Sequence, residues 1–209
     1  MAVDKRGHIL EHAITLFADK GFEGTSIRDL SKVAGVNVAM INYYFGSKEK
    51  LVEAIISDKA LYMKDRIEEI EANPSLSELN KIDILIEDYV TRILSGVNFH
   101  KFLHKELMDI KREGIHASLT TLFSKNARNF AAIIDKGIEK KQFRKVDALL
   151  TVTSILGSIT QVVSSKSMCN KLLLKQETNE PYTDEEFRER LINHIKQMIH
   201  AHLVVSDQP

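Results

Sequence analysis

Asn42, Tyr43 and Lys48 bring three kinds of chemistry into one short stretch, GVNVAMINYYFGSKEKL, residues 35–51. An Asn amide donates and accepts at once, which matches the edge that adenine offers in the major groove. A Tyr hydroxyl reaches a phosphate oxygen, and a Lys beside the free N–H groups that open a helix suits the same anion. Two histidine pairs, His8/His12 and His100/His104, stand at i, i+4 spacing, which puts each pair on one helix face. Such a pair holds a transition metal only when further ligands converge on it. Cys169 is the only cysteine and no carboxylate partner is evident, so ordinary partly buried histidines are expected, with no metal and no cofactor. No phosphate-cradling Gly-rich loop and no nucleophile elbow is present, so catalysis has no support.

The elements that must hold Asn42, Tyr43 and Lys48 can be read locally. Ile9, Leu10, Ala13, Ile14, Phe17 and Ala18 recur at helical spacing, and Gly21 supplies the stop. Ser26 followed by Asp29 reads as a capping box for a second helix that buries Ile27, Leu30, Val33 and Ala34. Gly35 marks a turn because it reaches positive φ without a Cβ penalty. Asn37 then caps a short third helix, and Ser47 caps a fourth that runs toward Glu71 on Leu51, Ala54, Ile55, Leu61, Ile67 and Ile70. Three short helices with a Gly turn between the last two form a helix-turn-helix pattern. In it Leu30, Ala34, Val36 and Ile41 face the core. Phe45 is expected there too, whereas Tyr44 divides evenly between core and surface. Asn37, Val38, Ala39, Met40, Asn42 and Tyr43 are left over.

Beyond Asn73-Pro74, helices are expected at about 76–97, 99–113, 115–140, 146–168 and 184–204, with Gly114 as a break and 171–184 as a polar loop. The fold class is therefore all-α, about nine helices. Of 209 residues, 44% are hydrophobic, enough for a core, and 28% are charged. Formal net charge is zero, so gross charge announces no nucleic-acid partner. Residues 1–50 hold seven Lys or Arg against six Asp or Glu, so DNA binding would depend on local placement of Lys5, Arg6, Arg28, Lys48 and Lys50. The N-terminus lacks a signal-peptide run. The uncharged stretch 148–165 is rich in Ser and Thr, which fits a buried helix better than a bilayer span. A reduced cytoplasmic location and no membrane partner are expected.

The stretch GFEGTSIRDLSKVAGVNVAMINYYFGSKEKLVEAI, residues 21–55, resembles the N-terminal domain of the TetR family of transcriptional regulators. The resemblance implies a helix-turn-helix domain over 1–48 and a helical effector-binding and dimerisation domain over 49–209. It implies a homodimer on double-stranded operator DNA, released by a small-molecule effector. It places Arg28, Val38, Ala39, Met40 and Asn42 near bases, and Ser26, Ile27 (through its backbone), Tyr43, Tyr44 and Lys48 near phosphates, with Asn37 beside them. The sequence departs from the family at Asn42, where Tyr is usual, at Ser31, where Ala is common, and at Lys141 of IEKKQFRK, where Gly is usual.

Phe99, Phe102, Leu103, Leu107, Phe123 and Phe130 fall on helices that could line an apolar cavity, with His104 and Asn126 as polar anchors. Taken singly, each is more simply core, and the effector pocket itself is an implication of the resemblance. Leu149, Val152, Leu156, Ile159 and Val163 form one helical stripe, and Phe187, Leu191, Ile195 and Met198 another. By the resemblance these two helices build the dimer bundle. Two other readings stay open: a DNA-binding organiser of this fold with no effector, and a helical protein-interaction module that does not use DNA.

Overall fold

The computed structural model describes residues 4–110, 112–174 and 180–204; the side chain of residue 60 and residues 175–179 of the loop expected at 171–184 lie outside the described residues. The described residues form ten α-helices and no strand. They are α1 (Lys5–Lys20), α2 (Ile27–Val33), α3 (Val38–Phe45), α4 (Lys48–Ala72), α5 (Glu78–Ser95), α6 (Val97–Met108), α7 (Glu113–Glu139), α8 (Ala148–Ser164), a single turn α9 (Lys166–Met168) and α10 (Glu185–Leu203). A π-helical turn, Cys169–Leu173, follows α9, and a 3-10 turn, Pro181–Thr183, precedes α10.

The chain divides into two compact units, Met1–Tyr62 with Asn98–Phe123 and Met63–Val97 with Ser124–Pro209. In the first, Ile9, Ala13, Phe17, Leu30, Ile41, Leu51, Val52 and Ile55 form the centre of the core, closed by Phe102, Leu103, Ile115 and Leu119. Rings of Phe17 and Phe102 stack at 5.6 Å, and those of Phe17 and Phe22 at 6.0 Å. Residues 98–123 thus belong to the same hydrophobic core as the helix-turn-helix. Two sequence expectations fail here. Val33 is 50% exposed, at the end of a helix only seven residues long. Leu61 on α4 is also exposed.

In the second unit, α10 packs along α5, and α8 packs on both. Ile82, Leu85, Ile86, Phe130, Ile134, Val152, Ile159 and Ile195 fill the core. Arg144 closes the end of α10: its backbone N–H donates to Leu203 O at 2.8 Å and its guanidinium to Val204 O at 2.6 Å, a cation on the negative end of the helix. Glu78 is almost fully buried; burial pushes its carboxyl up, but Lys140 and Lys81 outweigh it and hold the group below the usual carboxylate range.

Helix α6 ends at Met108 and α7 starts at Glu113, so Gly114 lies inside the first turn of α7. A Cβ at 114 would come 2.8 Å from Glu53 Oε1, so the Gly serves close packing against α4. The end of α7 carries a six-to-one turn: Gln142 N–H donates to Gly137 O at 2.9 Å and Lys141 N–H to Ile138 O at 2.9 Å. Lys141 occupies its left-handed position at φ 57°, as the one non-glycine with positive φ among the described residues. Gly137 has its own reason, since an added Cβ would strike the Phe143 ring.

Candidate nucleic-acid interface

Local hydrogen bonds set α3, the second helix of the helix-turn-helix, in place. Ser26 Oγ accepts from the Asp29 N–H at 3.1 Å while Asp29 Oδ2 accepts from the Ser26 N–H at 3.2 Å and from its hydroxyl at 2.6 Å, completing the box at the start of α2. Those Ser26 groups hold the Asp29 carboxyl below its ordinary range. Gly35 takes φ 62°, as the turn requires, and Asn37 Oδ1 accepts from the Met40 N–H at 2.7 Å to cap α3. His8 Nε2 meets Ala34 O at 2.9 Å and pins α1 to the turn.

Ile41 and Phe45, one helical turn apart, are the buried side of α3. Val38, Ala39, Asn42 and Tyr43 are exposed, Tyr43 at 84%. Met40 is half-buried and packs on the core edge. Tyr44 is 39% exposed and meets Tyr43 edge-on at 5.3 Å between centroids, so it is a surface ring. No charged residue lies on α3. Its free face offers one amide, two phenols and small apolar groups, a set suited to reading base edges at close range.

The remaining sequence-selected residues divide. Arg28 is exposed, and Ile27 packs against the core and leaves only its backbone available. Ser26 and Asn37 are exposed but spend oxygens on caps. Lys48 is more committed than its sequence position implied: Nζ donates to Phe22 O at 2.9 Å and Thr25 O at 3.0 Å, and stands 4.1 Å from the Phe22 ring centroid. An ammonium has three donors, so one N–H remains beyond those two bonds. Sequence reasoning passed over how Arg6 is held, its guanidinium 5.6 Å over the Phe45 ring. The KRGH run showed the charge but not the ring, which lies on another helix.

The eight residues expected at an effector pocket divide between the two compact units. Phe102 and Leu103 are buried in the first unit, with Phe99, Leu107 and Phe123 packed against that core and His104 half-buried, its ring 6.4 Å from that of His100. Phe130 is fully buried in the second unit and stacks on Tyr89 at 6.0 Å. Asn126, also in the second unit, is buried with no partner for Oδ1.

The two stripes expected at a dimer contact divide in the fold. Val152, Ile159, Val163, Phe187, Leu191 and Ile195 are buried in the core of the second unit. The most apolar stripe of each helix is taken by its nearest neighbours. What α8 and α10 leave outside is the flanking face: Leu149, Leu150 at 65% exposure and Met198 at 38%, with Leu156 half-buried. Leu150, Ser154, Met198 and His202 line a groove of about 370 Å³ there, and Thr151 Oγ1 meets His202 Nε2 at its edge at 3.2 Å.

A capped, core-anchored helix following a Gly turn, with its outer face free, defines a helix-turn-helix protein. The family model for "Bacterial regulatory proteins, tetR family" matches residues 9–55. The chain is 31% identical over 144 residues to "Probable HTH-type transcriptional regulator YttP" of Bacillus subtilis, covering 68% of this chain and 69% of that one. The chain belongs to the TetR family of transcriptional regulators. The fold agrees over nearly the full length with a candidate regulator of fatty acid metabolism from Clostridium perfringens (TM-score 0.76, 21% identity, 95% of this chain and 100% of that one). It agrees also with the regulator FadR of Bacillus subtilis in complex with stearoyl-CoA (TM-score 0.71, 17% identity, 93% and 99%).

Proposed function

We propose that the protein is a transcriptional repressor that binds a two-fold symmetric operator as a homodimer and is released by a small apolar or amphipathic ligand. The observation that carries DNA recognition is α3: its caps and core contacts are complete, yet Val38, Ala39, Asn42 and Tyr43 stay exposed on a face the fold does not use. In this reading Val38, Ala39, Met40, Asn42 and Arg28 approach bases. Tyr43, Tyr44, the Ile27 backbone and the remaining N–H of Lys48 approach phosphates. One helix-turn-helix reads only a few base pairs, so a dimer with two half-sites supplies the affinity and the symmetry. Leu149, Leu150 and Met198 are the apolar groups available for that contact, and Gly157, with open space around its Cβ position, admits a partner helix closely.

The ligand reading is supported by the fold's likeness to FadR bound to stearoyl-CoA. It is supported too by Asn126, whose buried Oδ1 would accept a hydrogen bond from a bound molecule. The ligand acts by favouring a spacing of the two recognition helices that the operator does not fit.

Selection of bound sequences from random duplexes tests the core of the proposal. The expected result is a palindromic consensus bound by one or two dimers. Recovery of no consensus, with all duplexes bound alike or not at all, overturns it.

A further inference from the structure

Arg112 stands at the start of α7, where its carbonyl accepts the His116 N–H at 2.9 Å. Its guanidinium is largely buried and engaged in four directions. Nε donates to Glu106 Oε2 at 2.7 Å, Nη2 lies 3.0 Å from Asp109 Oδ2, Nη1 donates to Glu23 Oε1 at 3.0 Å, and the guanidinium carbon is 4.8 Å from the Phe22 ring centroid. Glu106 lies in the last turn of α6 and Asp109 directly follows that helix, whereas Phe22 and Glu23 lie in the turn between α1 and α2.

The buried Glu106 carboxylate, 2% exposed, needs a cation, and Arg112 provides it. That need explains neither the Glu23 arm nor the ring contact. Phe22 is also the residue that Lys48 grips, through its ring and its carbonyl. Lys48 opens α4 three residues after α3 ends. A continuous path therefore runs from the α6–α7 junction through Arg112, Phe22 and Lys48 to the end of the recognition helix.

We propose that Arg112 is a positioning residue for DNA binding, which fixes the α1–α2 turn, and with it α3, to the α6–α7 junction without touching DNA itself. This rests on the repressor reading above. Glu23 isolates the role. Its side chain is 81% exposed, so its ion pair contributes little to folding stability. Without the strut the recognition helix samples more orientations. Apparent affinity then falls in proportion to the competent fraction.

The test uses the full chain and a duplex bearing the selected operator; if wild type selects none, the repressor reading has failed before any variant is made. Affinities are measured for Glu23→Gln, Arg112→Gln, Arg112→Lys and the double Glu23→Gln/Arg112→Gln. Removing a negative charge tightens DNA binding if only Coulomb attraction matters, whereas loss of positioning weakens it. The expected result is roughly three- to tenfold weaker binding for Glu23→Gln, at least as much for Arg112→Gln, and no further loss in the double variant. Arg112→Lys, which keeps the charge but loses the fork, falls between wild type and Arg112→Gln. The salt slope stays that of wild type throughout, because no phosphate contact is lost. Glu23→Gln alone decides the matter if Arg112→Gln does not fold. Unchanged or tighter binding by folded Glu23→Gln overturns the proposal, as does full additivity in the double variant.

Discussion

The ammonium of Lys48 and the residue Phe22, 26 positions earlier, are joined twice: Nζ donates to the Phe22 carbonyl at 2.9 Å and lies 4.1 Å from the centre of its ring. The lysine expected at a phosphate is an internal tie between the start of α4 and the α1–α2 turn. Lys48→Met should therefore do two things. Stability should fall by about 1–3 kcal/mol, from a charged hydrogen-bond donor lost together with its ring contact. Affinity should fall alike on all DNA sequences, and the salt slope should flatten by about one unit. Denaturation and binding at several salt concentrations separate the two. A lower midpoint with an unchanged slope assigns Lys48 an internal role alone.

Asn42→Ala should change which bases are preferred rather than overall attraction to DNA. Asn42 is exposed, uncharged and free of any capping duty on α3. Losing a bidentate base contact costs about 1–3 kcal/mol of discrimination at that position. Competition between the operator and its single-base variants should show the preference relaxed at one position per half-site. An unaltered ranking would remove Asn42 from the base-reading set.

Leu150→Glu and Ile159→Glu should fail in different ways, although both lie on α8. Leu150 is on the outer face, so the variant should stay folded while its mass in sedimentation falls toward monomer and its operator affinity falls with it. Ile159 is fully buried in the protomer, so a carboxylate there should cost several kcal/mol and unfold much of the chain. A Leu150→Glu protein that remains dimeric places the interface elsewhere.

Lys141→Gly should stabilise the protein. A lysine at φ 57° carries a left-handed penalty that glycine escapes, only partly offset by the greater freedom of glycine in the unfolded chain. The net gain should be about 1 kcal/mol, or roughly 2–4 °C in the melting midpoint for a chain of this size. An unchanged or lower midpoint would mean that other Lys141 contacts outweigh the backbone term.

His100 should make the fold sensitive to mild acid. Burial first, and then repulsion from His104, push its imidazole down to about 4 from an ordinary 6.5. The folded state thus holds the neutral ring while the unfolded chain takes up a proton between those values, so stability rises with pH across that window and is lost as pH falls from 6.5 toward 4. The difference is about 3 kcal/mol at most. His100→Gln should flatten stability against pH over this range, and a slope that persists unchanged points to other groups.

Gly35, Ser26 and Asn37 made the helix-turn-helix legible without a structure. A capping bond spans three residues and a left-handed turn needs one glycine, so such signals are complete within a short stretch of chain. Lys141 stood out only through the family resemblance, as a departure from the Gly usual at that turn. Tyr44 and Phe45 were harder, because adjacent rings on one short helix divide between core and surface by an angle that periodicity resolves poorly.

What only tertiary structure decided involves choices between partners far apart in sequence. Two apolar stripes on α8 and α10 read alike as core or as interface. In the fold α5 lies beside both helices, so Val152, Ile159, Leu191 and Ile195 bury inward while Leu150 and Met198 stay outside. Arg112 meets Glu23 across 89 residues, and no spacing rule anticipates that contact. Local hydrogen bonding and backbone stereochemistry are written in neighbouring residues. The burial of a stripe and the pairing of a charge depend on which surface the rest of the chain brings up against them.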